Sequence, residues 1–254
     1  MIAISVQSGS NGNCIYVEAA GARLLFDAGI SGLQAQRRLA ALGRDVQRAD
    51  GVFISHDHSD HIRCAGVYHR KFGIPVHVTD ETLRAARRWQ ALGEISHVRH
   101  FESGQSVAVG RAVVHTVPTP HDGADGVAFV VEAEGKRLGI LTDLGHVFAG
   151  LPELLGTLDA VFIESNYDPR MLAEGPYPYH LQQRIRGDGG HLANHEAAEL
   201  LRLCHGRLKW ACLAHLSEQN NTPALAMQTS RAMLPRDFPL IVASRYEAGE
   251  VLEV

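Results

Sequence analysis

Seven consecutive residues, Ser55-His56-Asp57-His58-Ser59-Asp60-His61, constrain this chain more than any other segment. They follow a short apolar run, Gly51-Val52-Phe53-Ile54, that reads as a buried strand. No structural need calls for three histidines and two aspartates in so short a stretch. Neutral imidazole is the commonest metal-binding side chain, and carboxylates add hard oxygen ligands. Side chains alternate along an extended segment, so His56 and His58 point the same way and can grip one ion together. Asp60 and His61 follow where the chain turns toward a helix, which lets them face a second ion beside the first.

The rest of the composition sets bounds. With 254 residues, 45% of them hydrophobic, the chain can bury a sizeable core, and we expect one folded unit over residues 1–254. Cys14, Cys64, Cys204 and Cys212 are scattered without a Cys-x-x-Cys pair. That argues against a disulfide framework or a zinc ribbon and suits a reducing cytoplasm. Met1 leads straight into Ile2-Ala3-Ile4-Ser5-Val6, without the basic start of a secretory leader. No apolar run approaches a membrane span, so no membrane association is expected. The formal net charge of −4 does not announce a nucleic-acid binder. It does not exclude one, because bound divalent ions are large local positive charges.

Strands are expected at 2–6, 14–17, 23–26, 52–55, 75–78, 106–109, 111–117, 126–132, 137–141, 161–164, 208–214 and 240–243. Helices are expected at 34–42, 62–72, 80–92, 194–204 and 223–234. Glu134-Gly135 reads as a hairpin turn. The stretch Asn166–Gly190, with three prolines and four glycines, reads as a long loop, and long ordered loops are usually functional. Two sheets sandwiched by outer helices fit this order, although periodicity alone does not separate that from a doubly wound sheet.

Four more acidic or histidine residues stand just past apolar strands. Asp27 ends Leu24-Leu25-Phe26, and His121 follows the strand at 113–117 through Pro118-Thr119-Pro120. Asp143 ends the strand at 138–141, and His215 ends the one at 211–214. Together with His56-x-His58-x-Asp60-His61, this order resembles the metallo-β-lactamase superfamily. The resemblance spans residues 27 to 215 and implies an α/β fold, an αββα sandwich with metals at one edge of the sheets. It implies that His56, His58 and His121 hold one metal, that Asp60, His61 and His215 hold the second, and that Asp143 bridges them. Asp27 would orient a histidine of the cluster. The implied cofactors are two divalent metal ions, zinc or manganese. Their chemistry is activation of a bridging water to hydroxide and an in-line displacement.

Further segments resemble the YycJ/WalJ branch of that superfamily: Ser8-Gly9-Ser10-Asn11-Gly12-Asn13-Cys14, Glu164-Ser165-Asn166-Tyr167-Asp168, Gly175-Pro176-Tyr177-Pro178-Tyr179-His180 and Gly190-His191-Leu192-Ala193-Asn194. The chain has Ala193 where that branch commonly has Ser. The branch implies a 5′-to-3′ exonuclease with DNA as partner. By similarity to the tRNase Z branch, Glu164 and His191 would flank the scissile phosphate, with His191 contacting it or protonating the leaving oxygen. Asp60, Glu164 and His191 are thus the catalytic candidates. The plainer reading of His191 is that it only precedes an N-cap, Asn194, of the next helix. Asn166, Tyr179, His180 and Arg184 are candidate substrate contacts. Arg170, Arg184, Arg186, Arg207 and Lys209 are candidates to track a phosphate backbone, with Tyr177 and Tyr179 stacking on bases. The competing expectation is a small-molecule hydrolase of the same fold, acting on a thioester, lactone or cyclic phosphodiester. The segment from Asp143 to His215 is too short for an inserted RNA-binding domain.

Overall fold

A computed structural model describes residues 1–254. The chain opens with strands β1 (Ile2–Gln7), β2 (Cys14–Ala19) and β3 (Ala22–Phe26), then helix α1 (Gly32–Ala41) and strand β4 (Gly51–Phe53). Helices α2 (Ser59–Ile62) and α3 (Ala65–Phe72), strand β5 (Val76–Val78), helix α4 (Asp80–Trp89) and strand β6 (Val98–His100) complete the first half. The second half begins with β7 (Ser106–Val109), β8 (Ala112–Pro118), β9 (Val127–Ala133) and β10 (Lys136–Leu141). It continues through α5 (Leu151–Leu155), β11 (Ala160–Glu164), α6 (Pro169–Glu174), α7 (Tyr179–Arg186) and α8 (Asn194–Cys204). It ends with β12 (Trp210–Ala214), α9 (Pro223–Arg231), β13 (Leu240–Val242) and β14 (Leu252–Glu253).

The strands form two mixed sheets of seven, in the orders β14-β1-β2-β3-β4-β5-β6 and β13-β12-β11-β10-β9-β8-β7. In each sheet the β-hairpins pair antiparallel and the strands entered from a helix pair parallel. Strand alternation divides the apolar residues between layers. Val17, Phe26, Phe53, Val114, Phe129 and Phe162 share the core between the sheets. Tyr16, Leu25, Val52 and Ile54 face outward onto Leu39, Tyr68 and Leu83 of α1, α3 and α4. Val161 and Leu213 face outward onto Leu155 and Leu201 of α5 and α8. The result is the expected αββα sandwich. No helix is long and apolar enough to cross a membrane.

Local departures from the sequence reading have physical causes. The helix expected from Ile62 begins at Ser59 and breaks into α2 and α3, because the Cys64 amide donates to the Ala28 carbonyl (2.9 Å). The stretch Asn166–Gly190 is not a plain loop. It holds α6, capped by Asp168 accepting from the Arg170 and Met171 amides, and α7. Helices this short show no readable period. Asn194 is not the cap of α8: Ala193 is, and it offers no acceptor. The Glu196 carboxylate reaches back to the Ala193 amide at 2.7 Å, and Asn194 is bonded to Ser165 and Asn221 inside the protein. The Glu134-Gly135 turn is a hairpin as read, with positive φ at both residues.

His77 in β5 is buried, stacks on Phe53 with ring centroids 4.2 Å apart, and has no hydrogen-bond partner for Nε2. Burial, with Arg99 and His97 nearby, lowers it to about 4. The unfolded chain binds that proton near 6.5 and the folded chain only near 4. Acidification across this window therefore favours unfolding, by up to about 3 kcal/mol. His77→Phe keeps the stacked ring without a titratable nitrogen. Its urea midpoint should fall less than that of the parent chain between neutral pH and about pH 5. Parallel pH slopes for the two proteins would show that His77 carries no such penalty.

Candidate metal centre

Every cluster residue hangs from the carboxyl end of a strand, at one edge of the sandwich. Asp27 follows β3, His56 follows β4, His121 follows β8, Asp143 follows β10, Glu164 ends β11 and His215 follows β12. Three of these strand-end residues have left-handed backbone: Asp27 (φ 64°), Asp143 (φ 56°) and His215 (φ 54°). Non-glycine residues rarely adopt that region, and such strain concentrates at functional sites. Here it turns the chain sharply out of the sheet. The turn after β3 also needs Gly29, where any Cβ would lie 1.7 Å from the Asp60 carbonyl oxygen.

Asp27 orients two histidines. Its Oδ2 accepts from His61 Nδ1 at 2.7 Å, which turns His61 Nε2 toward the other ligand atoms. Its Oδ1 accepts from the Ser55 amide (2.8 Å) and hydroxyl (2.9 Å). The Ser55 oxygen in turn takes His56 Nδ1–H at 2.9 Å, so His56 Nε2 is bare. His121 donates Nδ1–H to the Gly190 carbonyl (2.7 Å), and its Nε2 faces His58 Nδ1 at 3.2 Å. Two nitrogen ligands of one tetrahedral ion stand about 3.3 Å apart when each bond is about 2.05 Å.

Charge divides the cluster into two sides. Burial and the neighbouring imidazoles hold His56 well below the ordinary value, and burial also lowers His58 and His121. These three are neutral, as ligands must be. Burial opposes charge on His61 too, but Asp143, Asp27 and Asp60 outweigh it and hold His61 well above the usual value. Against the same burial, Asp143, Asp60 and Glu164 raise His215 to about 10. Burial would raise Asp60 and Asp143, yet the surrounding histidines keep both low. A cation among these carboxylates would replace the two protons.

The residues fit divalent metal. His56 Nε2 and Asp143 Oδ2 are buried without a hydrogen-bond partner. Burying an unsatisfied polar atom costs about 1–3 kcal/mol, which an ion would relieve. Ligand atoms lie within 4.8 Å of one another in four overlapping groups: His56, His58 and His121; Asp60, His61 and His215; His56, His61 and Asp143; and Asp143, Glu164, His191 and His215. Asp143 stands between the sides, 3.2 Å from His61 Nε2, 3.6 Å from His121 Nε2 and 3.5 Å from His215 Nδ1.

A cavity of about 270 Å³ opens onto this cluster. His58, Asp60, Asp143, His191 and His215 form its floor, with Tyr177, Leu181 and Arg184 on the wall. Glu164 is fully buried beneath it. Its Oε1 accepts His191 Nδ1–H at 2.6 Å, and its Oε2 is pinned by the Leu144 and Leu192 amides. Asn166 lines the cavity while its amide donates to the His215 carbonyl (2.8 Å), so it braces His215.

Other candidate substrate contacts lie away from the cavity. Tyr179 is 75% exposed and, like the exposed His180, lies off the cavity wall, because α7 turns Leu181, Arg184 and Ile185 toward it and Tyr177, ahead of the helix, fills the remaining place. Arg207 and Lys209 precede β12 and sit at the opposite edge from His215, about 17 Å away by strand length. Arg207 pairs there with Asp159.

Two participants were not read from sequence. Asn13 Nδ2 lies 3.0 Å from His61 Nε2 and 3.3 Å from Asp60 Oδ2. Asp122 holds Arg184 through two bonds of 2.6 and 2.9 Å and lies 3.4 Å from His58 Nε2. His121-Asp122 adjacency was the available signal for the second; the first lies in the Ser8–Cys14 segment, which was noted without a role for Asn13.

Asp27→Asn tolerates the left-handed backbone but puts an amide where His61 needs an acceptor. Zinc or manganese affinity, titrated against a chelator, should fall 10- to 100-fold with the fold retained. Unchanged affinity would mean that Asp27 does not orient the ligands.

The Beta-lactamase superfamily domain matches residues 22–216. The chain is 35% identical over 225 residues to exodeoxyribonuclease WalJ of Streptococcus pneumoniae, covering 87% of this chain and 84% of that one. It is 32% identical over 235 residues to exodeoxyribonuclease YycJ of Bacillus anthracis, covering 91% and 88%. The crystal structure of the metallo-β-lactamase fold protein YhfI from Bacillus subtilis superposes with a TM-score of 0.73 at 15% identity, over 99% of this chain and 98% of that one. A chain with this sandwich, this histidine–carboxylate edge and these relatives belongs to the metallo-β-lactamase superfamily, in the WalJ/YycJ branch, and is a metal-dependent hydrolase.

Proposed function

We propose that this chain is a dinuclear-metal phosphodiesterase that removes nucleotides from DNA ends in the 5′-to-3′ direction. The observation that carries the reading is the Glu164–His191 pair, 2.6 Å apart and set against Asp143 at the cavity floor. His56, His58 and His121 would hold one ion, Asp60, His61 and His215 the other, and Asp143 both. Zinc and manganese suit these donors alike. Two ions so held would supply an activated water and a clamp on the phosphate oxygens.

The protein side of the mechanism follows from the geometry. Asp60, at the cavity floor, orients the attacking water. Glu164 accepts from His191 Nδ1–H and fixes the ring, so that Nε2 is the atom that would donate to the leaving oxygen. Arg184, held flat by Asp122 at the cavity wall, supplies a planar fork for a phosphate. The relatives' names, both exodeoxyribonucleases, support DNA as substrate. Four free thiols fit a reducing cytoplasm. The alternative of a small thioester or lactone finds less support, since only Tyr177, Leu181 and Ile185 line the cavity with apolar surface.

The direct test offers end-labelled, 5′-phosphorylated duplex DNA to the chain with manganese and then zinc, beside Asp143→Asn. Stepwise release of nucleotides from the 5′ end, lost in the variant, is the expected result. Intact DNA with turnover of a thioester or lactone would overturn the reading. His191→Ala should keep its metal content and lose about 100-fold or more in turnover; full turnover would remove His191 from proton transfer.

A further inference from the structure

The end of α4 combines features that the metal centre does not use. Trp89 is 84% exposed, the most exposed of the chain's large apolar side chains. A single exposed apolar side chain is ordinary, but an indole beside two unpaired guanidiniums combines a stacking face with phosphate-binding groups. Arg84, Arg87 and Arg88 are exposed on the same helix. Arg84 pairs with Asp80 of the first turn. Arg87 and Arg88 have no acidic partner, and the acidic residues of α4, Asp80 and Glu81, stand at its other end. Basic residues in a last turn also favour the helix dipole. That accounts for two arginines but not for an exposed tryptophan beside them.

The helix is fastened to the loops that carry the metal-facing histidines. Gln90 Nε2, next to Trp89, donates to the Asp57 carbonyl at 3.0 Å, between His56 and His58. Thr82 Oγ1 donates to the Ala124 carbonyl at 2.6 Å, and the Ala124 amide donates to Asp57 Oδ1 at 2.8 Å. The loop carrying His121 is therefore flanked on both sides, by Arg184 at Asp122 and by α4 at Ala124.

We propose that Arg87, Arg88 and Trp89 form a platform for unpaired nucleotides at a DNA end, with Trp89 stacking on a base and the arginines pairing with phosphates. This inference rests on the exonuclease reading for the scissile phosphate at the metals. A strand entering past Arg184 crosses the His121 loop and reaches α4. Removal of 5′ nucleotides leaves the complementary 3′ strand unpaired at the same place, and stacking holds any base because every base has a π-face. Both parts of the platform suit a polyanion with flat faces, which the chain's net charge of −4 conceals.

The protein carries its own probe. Of the two tryptophans, Trp210 is buried and donates to the Glu253 carbonyl, so Trp89 alone meets solvent. Metal-loaded protein is titrated with a short duplex bearing a 3′ overhang and phosphorothioate linkages at the 5′ end. Saturable quenching of indole emission, weakened by salt, is expected. On the same duplex with an unmodified 5′ end, Trp89→Ala should raise KM about tenfold with little change in kcat. Arg87→Glu with Arg88→Glu should reduce the salt slope of binding by about 1.5. The dipole role alone would lower the melting temperature of the double variant and leave KM unmoved. Emission that ignores DNA which the enzyme degrades would overturn the platform and spare the exonuclease reading. Quenching together with failure to degrade the unmodified duplex would support the platform and overturn the exonuclease reading.

Discussion

The carboxylate of Asp27 is the contact on which the rest of the centre depends. It sits at the end of β3, within a hydrogen bond of the next strand's outgoing turn, and reads two ring tautomers at once. One oxygen fixes His61 directly; the other fixes His56 through Ser55. Both imidazoles therefore present Nε2 to the same space. Because β3 and β4 pair parallel, their carboxyl ends lie side by side, and this wiring needs no long side chain to span a gap. The second sheet supplies the facing half in the same way, through β8, β10, β11 and β12. The shared edge of two sheets thus converts strand pairing into ligand geometry.

That edge is poorly designed for stability in isolation. Asp143 and Glu164 are buried with their charges, and His61 and His215 counter them only by holding protons. Buried charges seldom stabilise a fold beyond what apolar residues would achieve. Orphaned nitrogen and oxygen atoms on His56 and Asp143 add to the strain, and so do three left-handed strand ends. Two large apolar layers and the inter-sheet core carry the cost. Local violations of this kind are expected where binding, not folding, chose the residues.

What the sequence made legible follows from the same physics. The His56–His61 cluster and the strand-end residues Asp27, His121, Asp143 and His215 were readable because an ion demands particular residue types at strand ends. The sandwich was readable from alternating apolar strands and five helices. Asn13 and Asp122 were hidden, since their partners Asp60, His61 and Arg184 lie far away in sequence. The helices α5, α6 and α7 are too short to show a period, so a helical hairpin over the cavity looked like a loop. Facing was lost with it: of the two tyrosines named for stacking, Tyr177 meets the cavity and Tyr179 does not.

Net charge misled in a related way. A chain at −4 gives no hint of an anionic substrate, yet Asp27, Asp60, Asp143 and Glu164 belong to the ligand edge, where bound cations would offset them. Asp122 is engaged by Arg184 and Asp57 by the Ala124 amide, so neither presents a free carboxylate to an approaching phosphate. The unpaired positive charge stands outside, at Arg87 and Arg88. Local bookkeeping of which charges are already paired, and not their sum, decides whether such an edge attracts a nucleic acid or repels it.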